Sequence, residues 1–146
     1  MLTLDQLRHA CGSTAWVRLM QGMPRDVNPH AAADAAFDRL TDNDWLEAFR
    51  AHPRIGDNPE RHREQAQVAD AEAAIRRELA ELNRRYAERF GHIFITCATG
   101  KSAETMLAEL RTRLNHDPAT ELHTAAAEQR RITHLRLDQI LDQLPR

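Results

Sequence analysis

The sequence predicts an all-α protein: a compact single-domain helical bundle of about seven helices over residues 1–146, with one short extended apolar segment before the penultimate helix. Three observations carry this. Apolar residues recur at spacings of three and four along most of the chain, as in helices that bury one face. Ser13, Thr41 or Asp42, Ser102 and Asp117 precede such runs, where a side-chain oxygen can accept the orphan N–H groups of a first turn. The one run rich in β-branched residues, IFITCA (Ile93 to Ala98), stands alone and is too short to make a sheet.

Leu2 to Ala10 reads as a short first helix. Ser13 caps a second, Thr14 to Gln21, with Trp16, Leu19 and Met20 on its buried side. Pro24 to Asn28 is a break. Pro29, whose ring presets a helical φ, opens a third helix through Ala35, Phe37 and Leu40. Thr41 or Asp42 caps a fourth that carries Trp45, Leu46 and Phe49, and Pro53, Gly56 and Pro59 then mark a loop. A long helix runs from about Arg61 to Phe90, where Gly91 supplies the stop. Ser102 caps the next helix, to about Leu114. Asp117 and Pro118 open the last, which runs to about Leu144. No internal repeat or low-complexity linker interrupts this order.

Composition narrows the function classes. Hydrophobic residues make up 42% and charged residues 29% of the chain, an ordinary soluble mixture, and the net charge of −2 argues against nucleic acid or an anionic membrane as partner. Lys101 is the only lysine, and the arginines are interleaved with acids as on solvated helix faces. Cys11 and Cys97 are the only cysteines and form no CxxC pair, which suits a reducing, cytoplasmic setting. The N-terminus lacks the pattern of a signal peptide, and IFITCA is far too short to span a bilayer.

Three polar residues fall on apolar faces. Glu64 heads a stripe shared with Val68, Ala71, Ile75, Leu79, Leu82 and Tyr86. Arg136 projects between Ile132 and Ile140, inside the apolar arc of the last helix, where a guanidinium either snorkels outward or finds an anion. His52 continues the spacing of Trp45 and Phe49, and Pro53 places it just past a helix end. An acid, a base and a cation on three inward faces suit a polar cavity in a bundle, although each alone is as readily structural. Metal binding has weaker support: there is no HExxH and no His/Cys quartet. His9, His30, His116, His123 and His134 read as scattered surface residues. ATGKS (Ala98 to Ser102) lacks the first glycine of a phosphate loop, and no GxSxG supports a serine triad.

An ordered set of motifs completes the picture: CGST.W (Cys11 to Trp16), DWLEAF (Asp44 to Phe49), HPRIG from His52, REQA (Arg63 to Ala66), LN..Y..RFG.IFI.CATGKSAE.ML (Leu82 to Leu107), HDP.TEL from His116 and RIT.LRL from Arg131. Taken together they are similar to 2-oxo-4-hydroxy-4-carboxy-5-ureidoimidazoline (OHCU) decarboxylases, which form (S)-allantoin in urate breakdown. The resemblance implies a compact all-helical, cofactor-free homodimer acting on a small molecule. It implies functional roles for His52, Glu64 and Arg136, and substrate contacts from Pro53, Gln65 and the backbone of Phe94, Ile95, Thr96, Cys97 and Ala98. The loop from Arg54 to Arg63 is shorter than in many members, Arg61 stands where they often carry a small polar residue, and His92 and Ile93 replace a more familiar Phe-Pro. No substrate contact is carried over from that loop.

The implied substrate bears its carboxylate beside a C=N bond and so supplies its own electron sink, which explains the lack of a pyridoxal, thiamine or metal motif. The residues alone leave two other readings open: a non-catalytic helical interaction module, and a hydrolase or racemase of a related ureido compound.

Overall fold

The computed structural model describes residues 2–52 and 70–144. Among them are seven helices and no strand: α1 Leu4–Ala10, α2 Thr14–Gln21, α3 Pro29–Phe37, α4 Asp42–Arg50, α5 Asp70–Phe90, α6 Ala103–Arg113 and α7 Pro118–Gln143. The expected all-α class and the element order hold. The start expected for the long helix near Arg61 lies outside the described residues.

Local chemistry sets the helix starts. Thr3 and Gln6 form a capping box that begins α1 at Leu4, two residues later than the apolar pattern suggests. Ser13, Asn28 with Pro29, and Ser102 cap α2, α3 and α6, and Thr41 pairs with Asp44 in a second capping box at α4. Asp117 accepts from the Thr120 N–H at 2.8 Å at the start of α7. Each such cap contributes about 1 kcal/mol. The third helix ends at Phe37 rather than Leu40, because Arg39 and Leu40 turn back in tighter bonds to the Ala36 and Phe37 carbonyls.

The chain divides into two compact units: one formed by residues up to Ala51 and from Ala126 onward, the other by His52–Ala125. In the first, α2 is central and packs on α1, α3 and α4. The alanines of α3 make this possible: Ala32, Ala33 and Ala36 are buried and have nothing beyond Cβ to hold α2 off. Trp16 is fully buried and donates its indole N–H to the Ala33 carbonyl at 3.2 Å, which satisfies the polar atom that burial would otherwise orphan. Glu47 of α4 accepts from the Thr14 N–H (2.6 Å) and hydroxyl (2.9 Å), placing a carboxylate at the positive end of α2. Gly12 lies against the end of α4, where a side chain of its own would meet the Ala51 Cβ at 2.4 Å.

The second unit is built on α5 and α6, with the core Leu79, Tyr86, Phe94, Met106, Leu107 and Leu110. The predicted stripe on the long helix faces this core through Ile75, Leu79, Leu82 and Tyr86. Gly91 has φ +78° and closes α5, its N–H bonding the Ala87 carbonyl at 2.9 Å. The apolar segment that follows has no regular secondary structure, and Phe94, Ile95 and Thr96 are buried.

Two glycine substitutions should separate packing from conformation. Gly12→Ala should lower the unfolding free energy by about 1–3 kcal/mol, because neither Ala51 nor the α4 backbone can yield cheaply. Gly22 sits at φ −84° with its nearest neighbours at 3.6 Å or more, so Gly22→Ala should be neutral or stabilising by up to about 1 kcal/mol. Urea unfolding of both variants measures the contrast.

Candidate active site

His52 follows Ala51, the C-cap of α4, and is half-buried. It therefore lies just beyond the helix end, as the following proline requires. Its backbone departs from a well-held point: Ala48 and Phe49 are fully buried, and Ala51 is the residue against which Gly12 lies. Glu64, Pro53 and Gln65 lie outside the described residues.

Arg136 is half-buried on α7, on the inner side expected from its spacing, beside the fully buried Leu137. It donates from Nη1 to the His9 carbonyl at 2.8 Å. A backbone carbonyl at the negative end of α1 thus takes part of the role that an anion was expected to play. One turn earlier, Thr133 donates to the Ala10 carbonyl at 2.9 Å and accepts from Gln129 at 3.1 Å. Burial holds the Arg136 guanidinium below the ordinary arginine range, partly offset by the nearby Cys11. The same burial, eased by the Ser13 backbone and Thr133, pushes the Cys11 thiol up to about 11.

The apolar segment commits its side chains inward. The Phe94 ring meets Tyr86 edge-on, with centroids 5.5 Å apart, and the His92 Nδ1 lies 3.0 Å from the Ile93 carbonyl oxygen. Phe94 and Ile95 are each 3% exposed, and Thr96 is buried beside them.

Around that backbone lies a network that sequence reading missed. Arg113 is 3% exposed and Glu121 and Tyr86 are fully buried. Glu121 Oε1 accepts from Arg113 Nε at 2.6 Å, lies 2.5 Å from Nη2 in the same ion pair and accepts the Tyr86 hydroxyl, and its other oxygen lies 3.0 Å from His116 Nδ1. Arg113 Nη1 donates to the Ile95 carbonyl at 2.6 Å. Burial opposes the Arg113 charge, but the Glu121 hydrogen bond and the surrounding acids more than reverse it, so its pKa is raised. Burial and Glu121 together push the Tyr86 phenol far upward. Leu122 was expected to face inward and is only half-buried, whereas its neighbour Glu121 is fully buried. The one available signal was Tyr86, a lone tyrosine on a core stripe whose hydroxyl needs a partner.

Three histidines expected on the surface are built in. His30 and His134 stack at 4.9 Å with their Nδ1 atoms 2.6 Å apart, and their Nε2 atoms face Asp138 at 2.7 Å and Asp34 at 2.8 Å. His116 joins the Glu121 network. His9 and His123 are exposed, as expected. Among the described residues no helix is long and apolar enough to cross a membrane.

The fold defines the class: a small protein that is all-helical over its described residues, with one buried non-helical segment between α5 and α6. The chain belongs to the OHCU decarboxylase family, whose model matches residues 3–138. It is 35% identical to the uric acid degradation bifunctional protein TTL of Arabidopsis thaliana, over 91% of this chain and 45% of that protein. It is 38% identical to the 2-oxo-4-hydroxy-4-carboxy-5-ureidoimidazoline decarboxylase of Mus musculus, over 56% of this chain and 46% of that one. The chain thus spans about half the length of these curated relatives. Among solved structures it resembles an OHCU decarboxylase crystallised in the presence of (S)-allantoin, with a TM-score of 0.84 and 34% identity over 95% of this chain and 99% of that one.

Two measurements probe this electrostatics. In a Cys97→Ser variant, a thiol at about 11 is almost wholly protonated near neutrality, so Cys11 should react with a disulfide reagent at least about a hundredfold more slowly in the folded protein than in urea. Burial raises the Glu109 carboxyl, but hydrogen bonds from Lys101 and Thr96 and nearby charges outweigh it, so its pKa is lowered from 4.5. A depressed carboxyl stabilises the fold above its unfolded value and loses that contribution as pH falls through its folded value. Glu109→Gln should therefore be less stable than wild type near about pH 7, with the gap closing toward about pH 3, as read from urea midpoints at both.

Proposed function

We propose that this protein is a carboxy-lyase that converts OHCU to (S)-allantoin in urate breakdown, acting as one domain in a cytoplasmic, cofactor-free homodimer. The observation that carries the reading is the likeness, over nearly the whole of both chains, to an OHCU decarboxylase crystallised in the presence of (S)-allantoin. The single uninterrupted family match from residue 3 to 138 supports treating the chain as one functional domain.

The chemistry follows from the substrate. Its carboxylate leaves as CO2, and the electron pair of the broken C–C bond moves into the adjacent C=N. The nitrogen of that C=N takes up a proton, leaving an enol. The enol then loses its hydroxyl proton to become the ring carbonyl while the ureido-bearing carbon takes up a proton, a net uptake of one proton that balances the charge of the lost carboxylate. The protein has to turn the carboxylate out of the ring plane, move that proton and choose the face that receives it. In our reading His52 moves the proton. Its seat just beyond a helix whose Ala48 and Phe49 are fully buried suits a group that must keep a fixed geometry, and such transfer contributes about 10²–10⁴-fold. Arg136 and Glu64 orient the carboxyl, hydroxyl and ureido groups through charge-assisted hydrogen bonds. The backbone amides of Ile95 to Ala98 hold the ring carbonyl, and Pro53 and Gln65 complete the substrate contacts.

The test supplies substrate in situ from urate with its oxidase and the next hydrolase, and follows allantoin by circular dichroism. Faster appearance of a single enantiomer than in the spontaneous reaction is the expected result. His52→Asn should lower kcat by at least about a hundredfold with an unchanged helical spectrum. Wild-type turnover in that variant, after subtraction of the spontaneous rate, removes the histidine from the mechanism.

A further inference from the structure

Arg113 touches two successive residues of the apolar segment directly and a third through Glu109. Its guanidinium lies over the Phe94 ring at 4.6 Å and donates to the Ile95 carbonyl at 2.6 Å. It also touches Glu109 at 3.3 Å, whose carboxylate accepts the Thr96 hydroxyl at 3.0 and 2.9 Å. Lys101 closes the far side, donating to Glu109 at 2.9 Å and to the Thr96 hydroxyl at 2.7 Å. Behind Arg113, the buried Glu121 fixes the guanidinium, and Tyr86 and His116 fix Glu121.

The described peptide bonds are all trans. In a planar trans peptide the C=O and N–H point in opposite directions, so the bond that draws the Ile95 oxygen inward also sets the direction of the Thr96 N–H. Glu109 and Lys101 hold the Thr96 side chain in the same frame. The next glycine, Gly100 at φ +77°, turns the chain back toward α6, so the held stretch is short and closed at both ends.

We propose that Arg113 is a positioning residue for the decarboxylation: by clamping the Ile95 carbonyl, with Glu109 and Lys101 clamping Thr96, it sets the peptide planes whose amides hold the ring carbonyl of the substrate. The proposal rests on the reading that this backbone contacts substrate. It gives a buried cation, which touches no reacting atom, a specific task in substrate binding. A contact to the ring carbonyl present in both ground and transition states moves KM and leaves kcat nearly unchanged, whereas general loss of fold lowers kcat with the amount of active protein.

Arg113→Lys keeps the charge but cannot bond Glu121 and Ile95 together. Glu109→Gln keeps an acceptor for Thr96 but weakens the hold of Lys101 and Arg113. Glu78→Gln, which removes an exposed ion pair with Arg111 elsewhere on the same helices, is the control. Initial rates over a range of enzymatically generated OHCU should give Arg113→Lys a KM raised about tenfold with kcat within about threefold, Glu109→Gln a smaller rise, and the control neither. Helical spectra and urea midpoints report folding separately. A folded Arg113→Lys with wild-type KM overturns the proposal. If Arg113→Lys does not fold, Glu109→Gln decides: an unmoved KM in that folded variant overturns it equally. A wild-type protein that does not outpace spontaneous decay ends the functional reading and this proposal with it. A His52-dependent rate with unmoved KM in both variants ends this proposal alone.

Discussion

The buried contact between Arg113 and Glu121 is the constraint around which the second unit is arranged. Both groups are withdrawn from water, and such a pair gains little over well-packed apolar residues. Removing one partner is another matter, since a lone buried charge costs about 3–5 kcal/mol. The pair therefore makes its unit intolerant of change without making it exceptionally stable. What an apolar replacement could not do is donate to the Ile95 carbonyl. That oxygen belongs to a stretch with no sheet partner and no helix, buried where an unmet carbonyl would be expensive. The guanidinium is thus the substitute for the strand that the segment does not have.

In the first unit, the stretch from the end of α1 to the start of α2 has a comparable role by different means. His9 and Ala10 offer carbonyls to Arg136 and Thr133, Cys11 fills a buried position, Gly12 permits close approach of the α4 end, Ser13 caps α2, and Thr14 engages Glu47. Six consecutive residues each answer a separate steric or hydrogen-bonding demand. Their motif, CGST, is short because backbone atoms do most of the joining.

The legible parts of the fold were those governed by local rules. Ser13, Thr41, Ser102 and Asp117 announce helix starts because a cap needs only its own next turn. Gly91 announces an end because the left-handed conformation favours glycine. Arg136 could be placed on an inner face by its angle alone. Its partner, the His9 carbonyl, could not, since the two are 127 residues apart in the chain. Glu121 escaped for a related reason: it sits in a first helical turn, where acids are ordinarily solvated, and its burial depends on Tyr86 and Arg113 from other helices. The pairing of His30 with His134 is again a product of tertiary approach. Spacing reveals direction, and long-range packing decides what waits there. The family motifs named His52, Glu64 and Arg136 together. Of these, the described residues show the seats of His52 and Arg136.

The aromatic residues fall in a convenient pattern. Both tryptophans, Trp16 and Trp45, belong to the first unit, and the only tyrosine, Tyr86, to the second. Indole fluorescence and tyrosine absorbance are thereby native spectroscopic reporters, one for each half of the chain, without any label. Superimposable melting curves from the two signals mean that the halves come apart in concert, and separated curves mean that one can loosen while the other stays intact.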